Sequence, residues 1–333
     1  MKIFRIWFAC SLGLALSLIF DWDFGFLAVL LPFFTLGKMD KFNPLIIVMI
    51  FMSALINIII FSLIWSMFKS HPFILFMCAS VVFLCMSLAM VNQKTFLLGF
   101  MGLLLGSIYL SLFSYEFMDM EDMSITIIVM CTVNALICSL ACFLFPSMGN
   151  RDEEENKQDN DVTPIVIRYG EVIMVWMVVM IAFVIFQTID LYDSSAAYAS
   201  IIVILAPMTV IGVFEMSIIR VAGTMLGCAI GVSVLLLLGV WFEHVFLFWL
   251  LLTIAMGPLC YMQTLDVSKA TISVSAMAAL FVPLTTVTIP GGSDGFFSII
   301  YRFSSIVVSM LLSVVLVFFI SALLRLNLNS RSQ

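Results

Sequence analysis

Two arginines stand out: Arg220, in a short polar turn with Glu215 at the cytoplasmic mouth between two apolar spans, and Arg302, a few residues inside the last apolar stretch. An arginine within a span, as Arg302 is, is costly enough to mark a functional candidate. Arg220 opens the run RVAGTMLG over 220–227, in which Gly223 and Thr224 follow within one helical turn. Its planar guanidinium suits a carboxylate, so it could capture an anion. It could equally be an interfacial anchor paired with Glu215 or with lipid phosphate, and the residue types allow both. Arg302 lies in FFSIIYRFSSIVVSM beside Tyr301, Ser304 and Ser305, where it either serves a path or snorkels to the outer surface.

A second pattern is proline followed closely by threonine inside an apolar run. Pro32 is followed by Thr35, and Pro207 by Thr209. A helix-breaking proline frees a backbone carbonyl, which a neighbouring helix, a hydroxyl or water must satisfy. Carbonyl and hydroxyl together could hold water or a proton-bearing group; the plain alternative is a packing kink. Glu171, Glu215 and Asp266 stand near the ends of apolar runs, where a carboxylate can exchange protons with solvent. Asn57, Asn134 and Gln187 suit helix–helix bonding. His71 and His244 mark loop ends. The eight cysteines have neither disulfide-framework nor zinc-site spacing and read as small packing residues.

The elements that must position these groups are membrane spans. The 333 residues are 64% hydrophobic and only 10% charged, against roughly 25% charged in a soluble domain. Apolar runs predict spans near 3–20, 24–37, 44–66, 72–91, 95–115, 124–146, 169–189, 197–214, 221–242, 245–263, 271–289 and 296–324. That is about twelve, or eleven with a re-entrant second segment. The basic, apolar start MKIFRIWFACSLGLALSLIF is read as an uncleaved first span. With both termini cytoplasmic, twelve of the 14 Lys and Arg residues fall on the inner side. No basic patch suits nucleic acid. No GxxxxGK[ST] loop or catalytic cluster appears, so no cofactor, metal or enzyme activity is expected.

The spans repeat. Pro32 and Pro207, Gly37 and Gly212, Asp40 and Glu215, Lys94 and Lys269, Asp119 and Asp294 are each separated by 175 residues. His71 and His244 differ by 173, and Trp65 and Trp241 by 176. The predicted fold is therefore all-α, two parallel six-helix repeats over 1–147 and 168–333, joined by an acidic cytoplasmic linker at 148–167. Parallel repeats put transporter paths at the repeat interface, near proline-interrupted segments at corresponding places.

The run from Ile204 to Gly231, ILAPMTVIGVFEMSIIRVAGTMLGCAIG, resembles the fusaric acid resistance (FUSC) superfamily, which includes the aromatic acid exporters. The resemblance rests on Arg-x-x-Gly-Thr-x-x-Gly at the start of a third span and an embedded proline in the span before it. LLPFFTLGKMDKFNPLIIVMI in the first half keeps the proline but lacks the Arg-Gly-Thr run. The compact layout is similar to the DUF2955 group. The resemblance implies a bacterial inner-membrane exporter of small aromatic or amphipathic organic anions, driven by the proton gradient and working with a periplasmic adaptor of the membrane-fusion type. A homo-oligomer is compatible with it. The competing expectation is a non-transporting membrane scaffold for an adaptor or an envelope-assembly partner.

Overall fold

The structure, a computed structural model, describes residues 1–22, 24–39, 42–92, 95–113, 120–146, 169–188, 195–239, 244–287 and 295–330. Asp40, Lys94, Asp119, Trp241, Asp294 and the acidic linker lie outside the described residues. Twelve helices are described: α1 (Lys2–Ile19), α2 (Leu27–Lys38), α3 (Pro44–Phe68), α4 (Pro72–Ala89), α5 (Phe96–Phe113) and α6 (Met120–Leu144), then α7 (Tyr169–Thr188), α8 (Ser195–Leu205), α9 (Val210–Leu238), α10 (Val245–Met262), α11 (Val267–Val287) and α12 (Gly295–Ser330). Nine of these are long and apolar enough to cross a membrane. The protein is an all-α, multi-pass membrane protein.

Helix starts follow local chemistry. Pro44 and Pro72 occupy first turns, where no backbone N–H is needed. Asn43 caps α3 by accepting from the Leu45 N–H, and Thr209 caps α9 by accepting from the Gly212 N–H at 3.2 Å. His71 and His244 are the residues immediately before α4 and α10, the loop ends expected of them.

The two proline segments differ from expectation. Pro32 stays inside α2, whereas Pro207 ends α8 and forms the turn into α9, with Met208 at φ 58°. The expected turn at 215–220 does not exist: α9 runs unbroken through Glu215 and Arg220. Thr209 explains this. Its hydroxyl caps a helix that then meets no breaker until Gly239, at φ 48°. Spans 197–214 and 221–242 are thus an 11-residue helix and a 29-residue one. At 1.5 Å per residue α8 and the 12-residue α2 are about 16 and 18 Å long, roughly half of a ~30 Å hydrocarbon core.

Packing joins the halves closely. Within the first half α1 packs on α2 and α6, α2 on α6, α3 on α4, α5 and α6, and α4 on α5. Within the second, α7 packs on α8 and α12, α8 on α9 and α12, α9 on α10, α11 and α12, α10 on α11, and α11 on α12. Between the halves α1 meets α10 and α4 meets α7, while α2 meets α11 and α5 meets α8. Two large cores result. One joins Phe83 of α4 and Leu103 of α5 to Val178 of α7 and Ile201 of α8. The other joins Leu14 of α1 and Phe33 of α2 to Leu252 of α10 and Met277 of α11.

Tryptophans stitch these contacts. Trp7 of α1 donates its indole N–H to the Thr253 carbonyl of α10 at 2.8 Å, and Trp249 of α10 donates to the Ser11 carbonyl of α1 at 3.0 Å. Trp176 of α7 donates to the Ser80 carbonyl of α4 at 2.9 Å. Thr253 and Ser80 are each the ninth residue of their helix.

Candidate functional site

Arg220 lies eleven residues into α9, and only 8% of it is exposed. Its face of the helix carries Gly223, Thr224, Gly227 and Gly231, all buried. Those small residues let α11 approach so closely that a Cβ at Gly223 would meet the Ser275 side chain, and one at Gly227 the Ala276 backbone. The close crossing brings Ser275 within reach of the guanidinium, and the hairpin at Pro207 returns Ser200 of α8 to the same level.

The geometry follows. Arg220 donates from Nε and Nη2 to Ser200 Oγ at 3.3 and 3.1 Å, and from Nη1 to Ser275 Oγ at 3.1 Å. Ser275 donates onward to the Thr271 carbonyl at 3.1 Å. Thr224 donates back to the Arg220 carbonyl at 2.7 Å, which fixes its rotamer in the helix. A guanidinium has five N–H donors. Three are used, and one on each Nη has no protein partner among the described residues. No carboxylate among the described residues reaches ion-pair distance either. A buried cation held only by hydroxyls leaves a desolvation cost of several kcal/mol that an anion would offset.

The other expected residues are not gathered here. Glu215 is exposed and does not pair with Arg220, because five residues on a helix turn it away from the buried face. Asp266 is exposed and paired with Lys269 at 3.3 Å, a surface contact. Glu171 is half-buried in the first turn of α7. Arg302 is half-buried on α12, close enough to Cys228 of α9 to act on it electrostatically.

Pro32 is a packing feature. Its missing N–H leaves the Ala28 carbonyl without its helical donor, and that carbonyl lies against Gly13 of α1, where a Cβ would collide with it. The neighbouring Val29 carbonyl accepts from the Cys10 thiol at 3.6 Å. Thr35 is fully buried, donates to the Leu31 carbonyl and accepts from Asn134 of α6 at 3.4 Å. Asn134 is thus helix glue, as read from the sequence. So is Gln187, which donates to the Ser111 carbonyl of α5 at 3.4 Å.

Three features escaped sequence reasoning. Ser200 and Ser275 carry no signal of their own, since serines in spans are common. Arg5 was counted among cytoplasmic charges, but it is 2% exposed and donates to the Met39 carbonyl at 2.6 Å, at the C-terminal end of α2. Cys10 and Cys260 lie together in one core, close enough to act on each other electrostatically, a proximity their 250-residue separation hid.

Fold and site together define a polytopic helical membrane protein with one buried, hydroxyl-held cation. Residues 2–141, the first six helices almost entire, match the family described as "Protein of unknown function (DUF2955)". That part of the chain is DUF2955-like, and Arg220 lies outside it. No curated protein and no solved structure matches the chain.

Proposed function

We propose that this protein is an exporter of small organic anions, built as two parallel six-helix repeats, and that Arg220 holds the anion. The observation that carries the reading is a guanidinium buried on a helix long and apolar enough to span a membrane, bonded to two serines, with two donors still open and no carboxylate beside it among the described residues. A carboxylate accepts a pair of parallel N–H bonds from such an edge.

The repeat is supported by the packing: each helix contact within the first half has its counterpart in the second, and four contacts between the halves, α1–α10 with α4–α7 and α2–α11 with α5–α8, exchange partners as a two-fold requires. The bonds from Trp7 and Trp176, each to the ninth residue of the other half's fourth helix, fit the same axis. The FUSC-like motif adds the substrate class, aromatic or amphipathic acids, with coupling to the proton gradient. It also adds a periplasmic adaptor and an inner-membrane location, while the placing of twelve of the 14 Lys and Arg residues on one side supports cytoplasmic termini. Glu171 is the one proton-coupling candidate that is not fully exposed.

The test is flux of 4-hydroxybenzoate from loaded proteoliposomes under an imposed pH gradient. Flux above that of empty vesicles, lowered at least about tenfold by Arg220→Gln, is expected, since loss of a charged hydrogen-bond pair is worth about 1.4 kcal/mol or more. No flux for any aromatic or amphipathic acid, with a stable adaptor complex, would favour the scaffold instead.

A further inference from the structure

We infer that the ligand path opens between the two composite cores, not between the two sequence halves, and that Arg220 is the latch across it. The inference rests on the transport reading above and concerns the moving parts of the same site. One body consists of α4 and α5 with α7, α8 and α12; the other of α1, α2 and α6 with α10 and α11. Each body draws on both halves. Trp7, Trp249 and Trp176 tie the halves together inside a body, never from one body to the other.

Between the bodies α12 packs on α11, whereas neither α2 against α5 nor α8 against α11 is a substantial contact. Two long helices straddle the gap. α3 has Ile47 in the second core and Phe61 and Ile64 in the first, while α9 has Val213 in the first and Val234 and Leu238 in the second. Arg220 lies between the two ends of α9 and bonds Ser200 of one body and Ser275 of the other. An oxyanion on its open Nη edge competes with both hydroxyls for the guanidinium. Occupancy and separation of α8 from α11 are therefore linked, as a differential interaction with two states requires. The corresponding crossing in the first half is filled by Leu31, Ala54, Ile58, Leu105 and Tyr109, with no arginine there among the described residues.

Spin-label distances in lipid nanodiscs test this, in a chain whose partly accessible Cys78, Cys85 and Cys228 are replaced by serine. Exposed helix-end positions Ile19, Phe73, Thr188 and Phe246 are substituted by cysteine in pairs. Ile19 with Phe246, and Phe73 with Thr188, report within a body but across halves. Ile19 with Phe73, and Thr188 with Phe246, report within a half but across bodies. Adding 4-hydroxybenzoate should shift the second set and leave the first narrow and fixed. Movement of the first set with the second fixed, or no movement in a chain that binds the acid, overturns the inference. Without ligand, Arg220→Gln and the milder Ser275→Ala should each broaden the second set alone; widths equal to those of the native residue in both variants also overturn it. A chain that binds no acid at all fails the exporter reading for that ligand, while the ligand-free comparison still decides the moving bodies.

Discussion

Arg220 shows how little of a buried charge's role can be read from its neighbours in sequence. Glu215 is nearby along the chain and exposed in the fold, while Ser200 and Ser275 are 20 and 55 residues away and in contact. A charged donor's hydrogen bond contributes about 1.5–3 kcal/mol, so Ser200→Ala with Ser275→Ala should destabilise the protein by several kcal/mol. Arg220→Met, which removes the charge and its unmet donors together, should cost less than the double serine variant while abolishing the response to 4-hydroxybenzoate. Thermal unfolding in detergent measures both. An Arg220→Met protein less stable than the double serine variant would mean that the guanidinium is a structural strut. Glu215→Gln should leave stability and flux unchanged within error, because its carboxylate touches no part of the site.

At the scale of elements, the crossing of α9 and α11 is set by glycines. A methyl group at Gly227 would run into the Ala276 backbone, which cannot rotate away, so Gly227→Ala should destabilise by about 1–3 kcal/mol. Gly257 of α10 has open space around its Cβ position, and Gly257→Ala should be neutral or slightly stabilising. Equal unfolding midpoints for the two variants would show that the crossing is looser than the contacts indicate. The same scale explains why the paired prolines parted company. Both were legible as helix breakers, but Pro32 keeps its helix with its one freed carbonyl, that of Ala28, packed against Gly13 of α1, whereas Pro207 is followed by a residue at positive φ and a capping threonine. Nothing local to PFFT and PMTV separates those outcomes.

For the whole molecule, each of the two large cores takes helices from both halves, while a smaller cluster around Ala54, Ile58 and Tyr109 lies within the first. Burial at roughly 25 cal/mol per Å² of apolar surface in soluble proteins is replaced in lipid by close packing and interhelical bonds, which here run between the halves. A protease site placed in the linker at 148–167 should therefore give, after cleavage, two fragments that migrate as one species in mild detergent. A membrane-permeant thiol oxidant should join those fragments on a non-reducing gel through Cys10 and Cys260, and Cys260→Ser should abolish the joined band. Fragments that separate before denaturation would contradict the shared cores.

Composition, most helical spans and the helices on either side of 148–167 were determined by the sequence itself, because hydropathy and capping are local properties. Landmarks 175 residues apart pointed to the proposed duplication, yet α1 begins at Lys2 and α7 at Tyr169, only 167 apart, while α6 and α12 begin 175 apart at Met120 and Gly295. One fixed offset therefore misaligned Pro32 and Pro207, which stand at different points of their helices. What only the tertiary structure decided is which helices share a core, that Arg220 faces two serines and not Glu215, and that Arg5 is buried. Those outcomes depend on contacts between residues tens to hundreds of positions apart, and such contacts leave no period or spacing in a single chain.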